Sequence, residues 1–223
     1  MELKNLFDEK IVKLTNQWER FPWQDRLVYA VLCRQIYSWA QESSPLLAIA
    51  GARVQNLDLP IKLKTKLKSR FFNHTLEEIG HEFDAEKDLK FLGYELNSFP
   101  VLSSTKAMWA SQYYLIEHLS PISFFGYILT LEGIAVKKCS WAHNQVVRAH
   151  GAGGKFLNLH GDEDEDHLEK AFNTLSELDP KCLDIVSDSM SFSIDCFHRV
   201  FEETIAYAQE IRRKDEFIHQ DVA

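Results

Sequence analysis

The chain has 223 residues, 45% of them apolar, and a formal net charge of -8. This length and apolar content suit one globular domain over residues 1–223, and no apolar run reaches the roughly eighteen residues of a membrane span. The negative charge argues against a nucleic-acid or anionic-membrane partner, since both require a concentrated basic surface. The N-terminal segment lacks the apolar core of a secretion signal, so we expect a cytoplasmic protein.

Helical periodicity dominates the chain, and no stretch offers alternating strands separated by hairpin turns, so the fold is predicted to be all-α. The first long helix is predicted over Trp23–Gln41. We expect Pro45 to break it before the apolar pattern resumes over Ala48–Val54. The next helix is predicted over Leu63–Leu92 and closes at Gly93.

Turn residues divide the second half of the chain into further helices. One is predicted over Ser104–His118, after which Ser120 caps a helix that runs over Pro121–Ala149. A glycine-rich break follows. Two more helices are then predicted over Lys155–Leu178 and Lys181–Lys214. No internal repeat or low-complexity linker interrupts this order, which favours a single domain.

The cysteines are widely separated and form no C-x-x-C pair. They lie within helical apolar patterns, so we expect reduced, buried thiols and no disulfide framework. These residues are Cys33, Cys139, Cys182 and Cys196.

Two histidines and an aspartate at helical spacing form the most informative pattern. His160, Asp164 and His167 follow one another at intervals of four and three residues, so they share one face of an α-helix. Two imidazoles and a carboxylate on one face are suited to bind a metal ion. The alternative is an exposed acidic turn whose charges lie favourably near a helix N-terminus.

Three carboxylates and one further histidine supply additional donors. Glu132 lies in an apolar helical segment, where a lone charge is costly to desolvate unless a partner or a metal compensates it. Glu78 and His81 have the Glu-x-x-His spacing with which one helix supplies two ligands to a dinuclear site. Glu42, near the end of the first long helix, is a further candidate. The alternatives are a hydrogen-bonded Glu132, a chance Glu-x-x-His match and an exposed Glu42.

The combination of these patterns indicates a metal centre. Chance would rarely place a Glu-x-x-His pair, a glutamate in an apolar segment and the His160, Asp164 and His167 pattern on three successive long helical segments. Nitrogen and oxygen donors without thiolate favour iron or manganese over structural zinc. Helical bundles hold di-iron and di-manganese centres with such ligands from several helices.

The same motifs, in the same order, resemble those of the haem-oxygenase-like di-iron oxidases. They lie over Glu77–Phe83, Tyr127–Gly133 and His160–His167, and the segment Arg34–Ala50 resembles the first core helix of that group. Relatives in fold include TenA thiaminases, pyrroloquinoline-quinone synthases and CADD-like proteins. The resemblance implies a bundle of seven or eight helices with a buried central site. The iron ligands that it implies are Glu78, His81, Glu132, His160, Asp164 and His167, with Glu42 as an additional carboxylate.

By this resemblance, the protein is expected to bind two Fe(II) ions, or manganese in their place, to activate O2 and to oxidise a small organic substrate. Tyr37, Trp39 and Tyr127 are candidates to line the pocket, although aromatic residues at helical spacing are more often core. Haem degradation is not expected, because no histidine precedes His74.

Two other functions stay open at this point. One is a metal-free, TenA-like hydrolase of a thiamine-related pyrimidine, which requires a nucleophilic cysteine. The other is a non-catalytic helical protein that binds a ligand or a partner. A homodimer is a further expectation, since dimers are common among proteins that look like this one.

Overall fold

α-Helices account for nearly all of the computed structural model, which describes residues 3–220, with side chains described for residues 3–161 and 168–217. The helices of this range are, in chain order, α1 (Leu3–Arg20), α2 (Arg26–Arg53), α3 (Ile61–Glu78), α4 (Glu82–Phe91), α5 (Ser103–Tyr114), α6 (Phe124–Ile134), α7 (Ser140–His150), α8 (Lys155–Leu175) and α9 (Pro180–Gln220). No strand occurs within the described range, which confirms the all-α prediction.

α6 and α7 form one continuous rod, because the π-helical turn Ala135–Cys139 joins them. Counted in this way, residues 3–220 form eight helical rods, within the number that the resemblance implied. Ser120 caps the segment as predicted, since its side-chain oxygen accepts a hydrogen bond from the Ile122 amide at 3.2 Å. π-Helical turns are rare and often mark functional sites. This one begins three residues after Glu132.

α6 lies at the centre of the bundle, where every residue except Leu131 is buried. A Cβ atom at Gly126 would overlap the backbone of α9 at Met190, and one at Gly133 would lie 2.5 Å from the Phe7 ring of α1. Only glycine permits helices to approach so closely. These contacts fix the position of α6, and with it Glu132, relative to its neighbours.

α1 is a helix that the sequence analysis did not predict. Its buried residues Phe7, Ile11, Leu14 and Trp18 follow one another at intervals of four, three and four residues, which is the spacing of one helical face. The apolar signal was therefore present in the sequence. These side chains pack against α6 and α9.

The predicted break at Pro45 is wrong, because α2 continues through it as a single 28-residue helix. Proline costs a helix interior about 3 kcal/mol through its missing amide and its ring. Here the residue is exposed, and the adjacent Leu46 and Leu47 are buried in the core. Burial of two leucines stabilises the helix by an amount comparable to the cost of the proline.

The predicted helix over Leu63–Leu92 is also wrong as a single element. α3 ends at Glu78 and α4 begins at Glu82, because Gly80 adopts a left-handed conformation with φ of 96°. This conformation is readily available to glycine and disfavoured for other residues. The break lies between the two members of the Glu-x-x-His pair.

The remaining predictions, on the cysteines and on the ends of the helices, differ from the structure only in detail. All four cysteines are thiols and not part of a disulfide, but only Cys33 and Cys139 are buried, whereas Cys182 and Cys196 are partly exposed. α8 ends at Leu175, three residues before the predicted end. None of the helices within the described range combines the length and the apolarity that a bilayer crossing requires.

Candidate metal centre

Glu78, His81 and His160 form a group that could hold a metal ion. One donor atom from each side chain lies within 4.8 Å of the other two. Glu78 is the last residue of α3, His81 precedes the first residue of α4, and His160 lies on α8. Nδ1 of His81 lies 3.6 Å from Oε2 of Glu78, and the two imidazole rings meet edge to face at 5.0 Å. Three helices thus deliver two nitrogens and a carboxylate to one point.

The Glu-x-x-His pair reaches this point by a different route from the one predicted. The sequence analysis placed Glu78 and His81 on one helical face, but Gly80 turns the chain between them. The left-handed turn nevertheless leaves the imidazole beside the carboxylate. The pairing therefore depends on the turn at Gly80 and not on regular helical spacing.

His74, which was not among the predicted ligands, lies between Glu132 and this group. Nε2 of His74 lies 3.2 Å from Oε1 of Glu78 and 3.3 Å from Oε1 of Glu132. Nη2 of Arg70 lies 3.6 Å from the same Glu132 oxygen. Arg70, His74 and Glu78 are each four residues apart on α3, so successive turns place all three toward α6. That spacing is the signal from which Arg70 and His74 could have been found.

Glu78 is poised to remain an anion in this environment. Burial alone would raise its pKa, but hydrogen bonds with His74 and His81, and the charges of His74 and His160, hold the pKa well below the usual value. An ionised carboxylate can bind a metal cation without first losing a proton. Its 9% exposure places the charge inside the bundle, where a cation interacts with it most strongly.

Asp88 holds the helix that carries His160, and it too escaped the sequence analysis. Its two carboxylate oxygens accept hydrogen bonds from the amides of Lys155 at 2.9 Å and Phe156 at 3.2 Å. The residue that precedes α8, Gly154, has no side chain with which to cap the helix. Asp88 of α4 therefore supplies the cap from a distant part of the sequence.

Two contacts fix His160 more closely. The Phe156 ring, one turn earlier on α8, lies 4.3 Å from the His160 ring. A Cβ atom on the next residue, Gly161, would lie 2.5 Å from the side-chain oxygen of Ser140. α8 therefore lies directly against the start of α7, and a larger residue at position 161 would push it away.

Glu42, a further predicted ligand, lies outside the group of Glu78, His81 and His160. It is half-buried, and its Oε2 accepts a hydrogen bond from the Tyr113 hydroxyl at 2.7 Å. Asp164 and His167 lie on α8, which is continuous through both positions, but their side chains fall outside the described residues. Their assignment as ligands stays a prediction.

An apolar cavity of about 70 Å³ adjoins this centre. Glu78, Glu132, His74 and His160 contribute to its wall, and aromatic and aliphatic side chains form most of the remainder. Among the residues predicted to line a pocket, Trp39 and Tyr127 do so. Tyr37 does not, and its ring lies instead 5.7 Å from the Arg34 guanidinium.

No family model and no curated protein matches this chain. Among solved structures, a domain of unknown function with a haem oxygenase-like fold from Shewanella denitrificans OS217 superposes with a TM-score of 0.81 at 20% identity, over 95% of each chain. A CADD-like protein of unknown function from Nostoc punctiforme PCC 73102 superposes at 15% identity in two crystal structures. Their TM-scores are 0.69 and 0.65, over 94% and 93% of this chain and 98% and 96% of the neighbour. The chain therefore has the haem-oxygenase-like fold that its motifs predicted.

Proposed function

We propose that this protein is an oxidase or oxygenase that binds two Fe(II) ions, uses O2 and oxidises a small organic substrate. The observation that carries the proposal is the buried group of Glu78, His81 and His160 at the edge of an apolar cavity. Imidazole and carboxylate donors suit iron or manganese, and helical bundles hold dinuclear centres with such donors.

The donors divide naturally between two ions. Glu78, His81 and His160 would hold one of them, since their donor atoms already lie within 4.8 Å of one another. Glu132, Asp164 and His167 would hold the other, an assignment that the helical spacing of the sequence supports. Glu42 is retained only as an additional carboxylate, because its hydrogen bond to Tyr113 occupies one of its oxygens.

Bound iron would supply the electrons for the reduction of O2. The chain supplies the remaining requirements. Glu78 offers an ionised carboxylate. His74 lies within hydrogen-bond distance of both carboxylates and fixes their separation, and Arg70 places a positive charge beside Glu132. The apolar wall limits the access of water, which strengthens every electrostatic interaction at the centre.

Iron content tests the proposal directly. Metal-free protein is loaded with Fe(II) without oxygen, and the bound iron and the visible absorbance after O2 mixing are then measured. We expect about two irons per chain and a transient visible band in the wild type, and the loss of both in His160→Ala. His198→Ala is the matched control, because this half-exposed histidine of α9 lies outside the group. Absence of stoichiometric iron from the wild type, or unchanged iron binding in His160→Ala, would contradict the proposal.

A second candidate function is a metal-free hydrolase with a thiol nucleophile. It is favoured by Cys139, a buried thiol that lies in the wall of the same cavity as Glu132. Such an enzyme would lose activity on alkylation of its thiol or in Cys139→Ser, and would retain activity with a chelator present. The iron enzyme would show the reverse pattern, and a non-catalytic protein would respond to neither treatment.

A further inference from the structure

The cavity beside the metal centre has a distinct chemical character. Among the described residues that line it there is no lysine and no arginine, and its carboxylates are Glu78 and Glu132 of the centre itself. Away from those groups the wall is aromatic and aliphatic, apart from Ser43 and Cys139. A ligand with a carboxylate would find no lysine or arginine in this wall and would lie beside the carboxylates of Glu78 and Glu132, so the desolvation of its charge would not be compensated. The cavity therefore suits an uncharged molecule better than an anion.

Tyr127 is a buried polar group in this wall that the proposed metal centre does not use. It lies on α6, only 2% of it is exposed, and its ring stacks on Phe124 at 5.4 Å with an interplanar angle of 17°. Within the described part of the chain its hydroxyl has no hydrogen-bond partner. A buried hydroxyl without a partner costs about 1–3 kcal/mol, so such groups call for a ligand or a functional reason.

The hydroxyl of Tyr127 keeps its proton and can donate it to a hydrogen bond. Burial, followed by the negative charges of Glu78 and Glu42, raises the pKa of Tyr127 well above its ordinary value. The indole N–H of Trp18, in the same wall, is a second buried donor without a partner among the described residues. Two donors in an otherwise apolar wall are complemented by an acceptor atom on the ligand.

We infer that Tyr127 selects the substrate, by donating a hydrogen bond from its hydroxyl to a neutral carbonyl or ether oxygen of a small, otherwise apolar molecule in this cavity. The inference rests on the proposed function, for which it names the class of substrate. The volume of about 70 Å³ holds roughly five water-sized groups, which sets the size of the molecule that enters without rearrangement of the wall.

Three probes of equal size, about five non-hydrogen atoms each, test this inference on the metal-free protein. They are 2-butanone, its isosteric alkene 2-methyl-1-butene and propanoate. Their dissociation constants follow from titrations of tryptophan fluorescence, since Trp18 and Trp39 line the cavity. We expect 2-butanone to bind at least about ten-fold more tightly than propanoate, because desolvation of the propanoate charge is not compensated.

Tyr127→Phe is the decisive variant. It should weaken 2-butanone by about 3- to 10-fold, the loss of one hydrogen bond, and leave the alkene within about two-fold. Tyr29→Phe is the matched control, since this tyrosine is equally buried but lies outside the cavity and bonds to Asp88 at 3.4 Å. It should change neither ligand. The melting temperature of Tyr127→Phe should not fall, because the hydroxyl removed has no hydrogen-bond partner among the described residues.

Tighter binding of propanoate than of 2-butanone, or an equal effect of Tyr127→Phe on ketone and alkene, would overturn the inference. The iron measurement is independent of these titrations. If Tyr127-dependent binding of 2-butanone occurs in a protein that takes up no iron, the proposed oxidation fails and the neutral ligand site stands. If iron binds but the ketone does not depend on Tyr127, the oxidation stands and the substrate assignment fails.

Discussion

Two buried carboxylates of this protein lie in contrasting surroundings. Glu78 lies between His74 and His81, and its pKa is lowered. Asp88 is surrounded by the amides of Lys155 and Phe156 and by the Tyr29 hydroxyl, and burial raises its pKa despite these hydrogen bonds. Both side chains are nearly inaccessible to water, so burial by itself does not decide whether a carboxylate is a metal-ligand candidate.

The difference lies in what the neighbours can do with a cation. Imidazole nitrogens beside Glu78 are themselves metal ligands, so the carboxylate and its neighbours can bind one ion together. Backbone amides beside Asp88 offer hydrogens only and would repel a cation. Glu78 therefore belongs to a candidate site for chemistry, and Asp88 to the support of α8.

Removal of the charge at each carboxylate should affect iron binding very differently. We expect Glu78→Gln to weaken Fe(II) binding by about 100-fold or more, since a charged donor is replaced by a neutral amide. Asp88→Asn should retain the wild-type stoichiometry, because Asp88 contacts the α8 backbone and not the metal group. Anaerobic titration with Fe(II) measures both. Equal losses in the two variants would remove the distinction between these regions.

Asp88, which should not affect iron binding, should contribute clearly to the free energy of unfolding. Asp88→Ala removes the cap of α8 and leaves two amides without their acceptor, so we expect a loss of about 2 kcal/mol in the free energy of unfolding. Urea unfolding of the metal-free protein measures this loss. Asp84→Ala, one turn earlier on the same helix and paired with Lys87, is the control and should cost about 0.5 kcal/mol or less. A similar value for both would contradict the capping role.

The contributions of the two carboxylates to stability should change with pH in opposite directions. The lowered pKa of Glu78 contributes stability that is present above its ordinary value of 4.5 and is lost as the pH falls below it. The raised pKa of Asp88 acts in the opposite direction, since stability falls as the pH rises above its ordinary value of 3.8. Each group contributes a slope of at most about 1.4 kcal/mol per pH unit.

Unfolding experiments over a pH series resolve these slopes. The stability advantage of the wild type over Glu78→Gln should shrink as the pH falls below 4.5. The stability of Asp88→Asn relative to the wild type should instead grow as the pH rises above 3.8. Slopes of the same sign for the two variants would be incompatible with the contrast.

Gly80 provides the smallest but most local test. Alanine at its φ of 96° is strained by about 1 kcal/mol, and relief of that strain would move His81 away from Glu78. We expect Gly80→Ala to weaken Fe(II) binding by about ten-fold. Gly151→Ala is the matched control, with φ of 83° and no atom of the described residues within 4 Å of its added Cβ. It should cost similar stability and leave the iron titration unchanged, and equal iron affinity in both variants would exclude a role for the Gly80 turn.

The errors of the sequence analysis around this turn have a physical cause. Leu76, Ile79 and Phe83 fit the apolar period of a helix over Leu63–Leu92, yet all three are exposed, Leu76 by 71%. The left-handed glycine between Ile79 and His81 ends the helix, so the period no longer describes one face. Periodicity predicts a helix well where no residue redirects the backbone, as over α8 and α9.

The resemblance of the motifs predicted the haem-oxygenase-like fold correctly, because the local sequence determines long amphipathic helices and their order. Local spacing places His74 on the same helical face as Glu78, but it predicts neither the role of His74 nor Asp88. The role of His74 depends on how α3 faces α6, and that of Asp88 on how α4 meets the first turn of α8. Both depend on distances between elements that are far apart in the chain.

The sequence by itself indicated most of the helices, although neither α1 nor the division between α3 and α4, and it determined the supply of imidazole and carboxylate donors. Only the tertiary structure decided which donors meet: Glu78, His81 and His160 converge, whereas Glu42 bonds to Tyr113 instead. The physical reason is that donor distances follow from helix packing. Contacts such as that of Gly161 with Ser140 set this packing, and no local pattern encodes it.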